Sequence, residues 1–202
     1  LDDGWFLGRN NDTTSLGDWI VDPEKLPSGI EGLAKQVKEK GLMFGLWFEP
    51  EMISENSLLY KSHPEWVLGA PGYPLSHGRN QFILDLTRED VRQYIYESLR
   101  TILKGSNISY IKWDMNRNMT EIGTSALSPD RQGEVAHRYI LGLYEILEKL
   151  TNEFPEVLFE SCASGGNRFD PGMLYYMPQA WASDNTDAVE RLKIQYGSSF
   201  VY

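Results

Sequence analysis

Apolar and polar positions change their period several times along the chain, and each change marks an element. Leu1-Asp2-Asp3-Gly4-Trp5 reads as the tail of a strand that ends in two acids and a glycine turn. A polar, irregular stretch follows through Pro27 and Ser28, long for a loop. Over 28–40, Ile30, Leu33, Ala34 and Val37 recur on one face, which predicts a helix with Gly41 as its C-cap. The run 42–48 is continuously apolar, the pattern of a strand buried on both faces, and it ends in Glu49-Pro50-Glu51. Pro64, Pro71, Pro74 and several glycines mark a second long loop, up to a short strand-like Phe82-Ile83-Leu84.

A helix over 87–104 takes Thr87 as N-cap and carries Glu89 and Asp90 in its first turn, with Gly105 to close it. Tyr110-Ile111 has the aromatic and β-branched character of a buried strand. Ser128-Pro129 opens a longer helix to Glu153, with Val135, Tyr139, Leu143, Ile146 and Leu150 on its apolar face. Val157-Leu158-Phe159 and Ala180-Trp181 are strands, a helix runs to about Tyr196, and a last strand is expected at Phe200.

Strand and helix thus alternate with no hairpin signal, which implies right-handed βαβ units and a parallel sheet. Polar residues gather after the strands, not before them. That favours an α/β fold of the (β/α)8 TIM-barrel type, with its site built on the strand ends. A Rossmann sheet is the alternative, but no Gly-x-Gly-x-x-Gly follows any strand. The expectation is an incomplete barrel with about six of its eight strands. Residues 1–202 would form part of one catalytic domain, truncated at both ends.

Composition narrows the function classes. The chain has 202 residues, 41% hydrophobic and 24% charged, an ordinary globular balance. A net charge of −10 opposes binding to nucleic acid or to an anionic membrane. No apolar run reaches a transmembrane length and no signal peptide is evident, so a cytoplasmic location is the default. Cys162 is the one cysteine, and no intrachain disulfide is possible.

The chemistry centres on Lys112-Trp113-Asp114-Met115-Asn116-Arg117, where a buried strand ends in charge. Alternate residues of a strand share a face, so Lys112, Asp114 and Asn116 point the same way. A carboxylate held between an ammonium and an amide suits a nucleophile; a structural ion pair is the bland reading of the same residues. Asp2, Asp3, Glu49, Glu51, Glu160, Cys162 and Asp184 also fall at strand ends or just after them, with Trp47 and Arg79 nearby in kind. A pair of carboxylates on different strands of one barrel is what glycoside hydrolysis needs. Metal-assisted chemistry fits less well, because His63, His77 and His137 lie away from the strand ends and Lys112 and Arg79 repel a cation. No cofactor is expected. Cys162 has no matching His, which favours a small buried hydrophobe over a nucleophile, and Ser164-Gly165-Gly166 lacks the phosphate-loop pattern. Trp47 reads either as core or as a platform for a sugar's apolar face.

Five motifs carry a resemblance that spans the chain: Leu1-Asp2-Asp3-Gly4-Trp5, the 45–52 run ending in Glu49-Pro50-Glu51-Met52, the 112–117 motif, Glu160-Ser161-Cys162-Ala163-Ser164-Gly165-Gly166, and Ser183-Asp184-Asn185-Thr186-Asp187. In order and content they resemble the bacterial α-galactosidases of glycoside hydrolase family 36. The resemblance implies a retaining double displacement with Asp114 as nucleophile and Asp184 as acid/base, their carboxyls about 5–5.5 Å apart. Asp187 is the competing acid/base, ranked second as a helix cap. The resemblance also implies Asp2 and Asp3 on the O4 and O6 side of galactose, and Lys112, Arg79 and Asn116 on other hydroxyls. Cys162 and Gly165 would lie near O2, and Trp47 beside the ring. It further implies a longer parent with β-domains around the barrel, often a homo-oligomer such as a tetramer. The alternatives are a raffinose-synthase-like transferase and a non-catalytic sugar-binding module.

Overall fold

The computed structural model describes residues 1–201. The amphipathic stretch after Ser28 becomes α1 (Gly29–Glu39), after which Gly41 turns the chain at φ +75°, a left-handed conformation open to glycine. The apolar run then narrows to β1 (Gly45–Phe48), with Leu42 and Met43 left exposed ahead of it. An excursion follows, made of β2 (Met52–Ile53), α2 (Leu58–Ser62), a 3-10 turn (Pro64–Trp66) and β3 (Phe82–Ile83). Next come α3 (Glu89–Gly105) and β4 (Tyr110–Trp113). A second 3-10 turn (Pro129–Glu134) runs straight into α4 (Val135–Glu153), which leads to β5 (Leu158–Ser161). The chain closes with α5 (Pro171–Tyr176), β6 (Gln179–Ala180) and α6 (Ala188–Ser198).

Strands β1, β4, β5 and β6 form one parallel sheet in that order, with Leu46, Ile111 and Phe159 in register across it. Leu1 extends the sheet beyond β1: its ammonium donates to the Gly45 carbonyl at 2.8 Å and its carbonyl accepts from Trp47 N–H at 3.0 Å. Each strand therefore lies beside its predecessor with no reversal of direction. That is the order of a barrel wall, not of a doubly wound sheet with a switch point.

Three expectations are corrected. Phe82 and Ile83 do not join the wall; they pair antiparallel with Ile53 and Met52, burying all four side chains inside the excursion. Phe200 is not in a strand, because its N–H and that of Val201 bond back to Gly197 and Ser198 and continue the turns of α6. Tyr202 lies outside the described residues. At the start of α3 the N-cap is Arg88, since Asp85 accepts from both the N–H and the hydroxyl of Thr87 and holds it in the preceding turn.

The core lies between the wall and α3 and α4. Val91, Ile95, Leu99 and Leu103 recur every four residues on α3, and Val135, Tyr139, Leu143, Ile146 and Leu150 line α4. The stretch read as a polar loop adds Phe6, Leu16 and Trp19 to that core, and Trp5 just before it joins them. Trp5 and Trp19 each pack 5.3 Å from the ring of Phe48, so the loop is anchored on the end of β1. Among the described residues no helix is long and apolar enough to cross a membrane.

Candidate active site

The wall ends where the chemistry begins. Asp114 follows the last residue of β4, and its N–H still donates to the Phe48 carbonyl at 2.8 Å, so the sheet fixes its backbone. Its carboxyl is nearly buried and takes three N–H donors. The Asn116 side-chain amide (2.7 Å) and the Trp47 indole (3.1 Å) donate to Oδ2, and the Met115 backbone donates to Oδ1 at 2.9 Å. Donors from β1 and from both sides of its own turn leave that carboxyl one orientation. Trp47 serves it from within the core, its ring edge-on to Trp19 at 6.4 Å.

The ammonium expected beside Asp114 is aimed elsewhere. Lys112 Nζ reaches Asp2 Oδ2 at 3.4 Å and lies 5.5 Å from the centre of the Trp181 ring. Burial alone would lower the Lys112 pKa, but the charges of Asp2 and Asp114 outweigh it and leave it raised. Asp3 is engaged by the buried Arg9, with Nε donating to Oδ1 at 3.0 Å and Nη2 to Oδ2 at 2.8 Å. Asp2 is the more exposed of the pair, its side chain 69% exposed against 38% for Asp3.

Cys162 begins the loop after β5, its N–H bonded to the Trp113 carbonyl at 2.8 Å. Burial first, and the Asp114 charge second, push the thiol up to about 12. It is therefore a neutral thiol, unsuited to attack. The same loop bears Ser164, whose hydroxyl donates to Asn116 Oδ1 at 3.1 Å, and Gly165 at φ +91°. A Cβ on Gly165 would stand 3.1 Å from the Ala182 carbonyl and from Ser183 Cα, so the loops after β5 and β6 touch backbone to backbone. Asp184 follows directly. It is exposed and accepts from the Trp181 indole at 2.9 Å, the same ring that lies beside Lys112. Asp187 caps α6, accepting from the N–H groups of Val189 and Glu190, both at 3.0 Å.

Two further acids meet below the site. Glu51 is fully buried and accepts from the Trp113 indole and the Tyr139 hydroxyl, both at 2.8 Å, while Arg168 Nη2 pairs with it at 2.8 Å. Glu49 is also buried, with one carboxyl oxygen accepting from Gln81 Nε2 at 2.8 Å and Asn116 N–H at 2.6 Å. Burial, and then the charge of Asp114, push its carboxyl up to about 7, against the opposing pull of those hydrogen bonds. Glu160 bonds to Gln179 on the neighbouring strand.

Arg79 stands apart. It and Asn80 form the tip of a tight turn between Gly78 and Gln81, with φ values of +54° and +60°, and among the described residues Arg79 has no hydrogen-bond or ion-pair partner. Arg117 backs that turn by donating to the Gln81 carbonyl at 3.0 Å. A cleft of about 350 Å³ opens between the loops after β4 and β5, lined by Asn116, Arg117, Ser164, Asn167 and Arg168 among others. Gln81 and Arg168 went unsingled in the sequence. Their partners Glu49 and Glu51 are distant in the chain, and an isolated Arg or Gln carries no local signal of burial.

Comparison with known proteins gives one consistent result. The Melibiase family model matches residues 1–202. The chain is 64% identical over 202 residues to α-galactosidase AgaA of Geobacillus stearothermophilus and 55% identical to α-galactosidase Mel36A of Lactobacillus acidophilus. In both cases all of this chain is covered, and it spans 28% of the relative's length. The crystal structure of the GH36 α-galactosidase AgaA superimposes with a TM-score of 0.97, covering 100% of this chain and 28% of that one. A more distant likeness, 28% identical with a TM-score of 0.57 over 80% of this chain and 30% of that one, is to the Thermus thermophilus α-galactosidase TtGalA in complex with p-nitrophenyl α-D-galactopyranoside. The chain belongs to the melibiase family.

Proposed function

We propose that the protein carrying this chain is a retaining α-galactosidase, which removes terminal α-linked galactose from melibiose- and raffinose-type sugars. The observation that carries the proposal is the setting of Asp114. It is a carboxyl at the end of a barrel strand, oriented by three N–H donors, with a second aspartate, Asp184, on the loop stitched to its neighbour. Asp114 would attack the anomeric carbon and form a covalent galactosyl-enzyme. Asp184, the more solvent-exposed acid, would protonate the departing oxygen and then take a proton from the water that releases the sugar. Esterification removes the negative charge of Asp114 from the site, and Asp184 then serves as the base.

The relatives support this assignment. AgaA structures hold raffinose in a form with an aspartate changed to asparagine and stachyose in a form with an aspartate changed to alanine, and those two positions are separated by the same 70 residues as Asp114 and Asp184. Asp2, Asp3, Lys112, Arg79, Asn116, Cys162 and Gly165 would bind the sugar hydroxyls, and Trp47 would border the ring. A homo-oligomeric, tetrameric parent and a cytoplasmic location belong to the same reading.

The test uses the full-length protein with p-nitrophenyl α-galactoside and follows the released anomer by NMR. Initial α-galactose is expected; initial β-galactose would overturn the retaining pathway, and no release would overturn the activity. Asp114→Ala should abolish turnover while galactose still binds, and an active Asp114→Ala would remove Asp114 from the nucleophile's role.

A further inference from the structure

Glu49 is buried and touches the nucleophile's turn, yet the reaction as described has no task for it. It follows β1 directly, one residue before Pro50, and its carboxyl takes its hydrogen bonds from two places. Asn116 N–H donates at 2.6 Å and Gln81 Nε2 at 2.8 Å, both to Oε1. Asn116 is in turn the residue whose side-chain amide holds Asp114 Oδ2 at 2.7 Å and whose carbonyl oxygen accepts from Ser164. Glu49 thus grips the backbone of the residue whose side chain grips Asp114.

We infer that Glu49 is the positioning residue of the nucleophile, its carboxyl fixing the 114–117 turn so that the Asn116 amide stays on Asp114. The inference rests on Asp114 acting as proposed above. A structural glutamate would be expected to have a cation, as Glu51 has Arg168. Among the described residues Glu49 has none. The groups facing it are Asp114 from the end of β4 and the neutral Gln81 from the turn before β3. Arg117 lies behind Gln81 and donates to its carbonyl, not to Glu49. Cys162 borders Asp114 as a neutral thiol. Two carboxyls in one buried site without a cation between them share a field in which one is favoured neutral. Burial, and then the charge of Asp114, favour the neutral form of Glu49. Esterification of Asp114 removes that field, so the proton on Glu49 is bound less tightly in the covalent intermediate than in the free enzyme.

The test compares Glu49→Gln and Glu49→Ala in the full-length enzyme on p-nitrophenyl α-galactoside. Glu49→Gln keeps an oxygen acceptor for Asn116 and should retain kcat at pH 6 within about threefold. Glu49→Ala frees the turn and should lower kcat about 100-fold with little change in KM, the scale of a misplaced reacting group. The wild-type pH profile should carry an ionisation near 7 that Glu49→Gln lacks. The inference is overturned if Glu49→Ala turns over at the wild-type rate, if Glu49→Gln is as impaired as Glu49→Ala, or if its pH profile superimposes on that of the wild type. Should Glu49→Ala fail to fold, Glu49→Gln and its profile decide alone. A wild-type enzyme that releases no p-nitrophenol would refute the galactosidase reading instead, so the two failures are distinct.

Discussion

The indole N–H of Trp47 donates to Oδ2 of Asp114 at 3.1 Å, a bond that joins the end of β1 to the end of β4. Both groups are buried, so the bond forms where little water competes for either. A hydrogen bond to a charged group contributes about 1.5–3 kcal/mol, and here it also sets which way the carboxyl faces. Trp47→Phe keeps an aromatic ring in the cluster with Trp19 but removes the donor. The expected result is a loss of about tenfold or more in kcat/KM at unchanged protein concentration, measured by steady-state kinetics with p-nitrophenyl α-galactoside. An unchanged value would show that Asn116 and Met115 suffice to orient Asp114.

Gly165 allows the loops after β5 and β6 to meet. Its φ of +91° is costly for any side chain, and a Cβ would press on the backbone of Ala182 and Ser183. Backbone gives way less readily than a flexible side chain, so Gly165→Ala should displace the 182–184 segment and with it Asp184. Activity should fall by at least tenfold, since small displacements of reacting groups weigh heavily on rate. Measuring pH-rate profiles alongside Tm separates this from general unfolding: the acid/base limb should change more than the melting temperature.

What the chain discloses on its own follows from which forces are local. The four wall strands and their helices are legible because a continuous apolar run such as Gly45–Phe48 and a four-residue repeat such as Val91, Ile95 and Leu99 record burial directly. Phe6, Leu16 and Trp19 were hidden because polar residues and glycines separate them, and only the fold gathers them into a cluster. The β2–β3 pair joins residues on either side of a long excursion, which no local pattern reports. At the site, strand-end position gathers Trp47, Asp114 and Asn116. The ion pair of Lys112 is not legible in the chain, because a side chain of that length selects its partner in three dimensions, and Asp2 presents itself across the sheet. The division of labour among Glu49, Glu51 and Asp114 depends on which acid meets Arg168, a fact of packing alone.

Glu51 and Arg168 form a buried pair that ties the end of β1 to the loop after β5. Removing one partner leaves the other charge buried and costs about 3–5 kcal/mol, whereas removing both costs much less. Arg168→Met should therefore destabilise strongly, by about 3 kcal/mol, and Glu51→Gln combined with Arg168→Met should recover a large part of that. Equilibrium denaturation of the two single variants and the double variant gives the coupling. A double variant no more stable than Arg168→Met would show that Trp113 and Tyr139, not the arginine, satisfy Glu51.

The raised pKa of Glu49 makes folding depend on pH with a definite sign. Burial and the charge of Asp114 take the carboxyl from 4.5 to about 7 in the folded protein. Between those values the folded state holds a proton that the unfolded state has released. Stability therefore declines as pH rises across this window and levels off above it. A shift of that size corresponds to about 3 kcal/mol across the window, since each pKa unit is worth about 1.4 kcal/mol. Glu49→Gln cannot ionise and should lose this part of the slope, so its stability relative to wild type should improve as the pH is raised from 5 to 7.5. Thermal or denaturant unfolding of the full-length pair at both pH values measures it. Parallel curves for the two proteins would mean that Glu49 titrates alike in the folded and unfolded states.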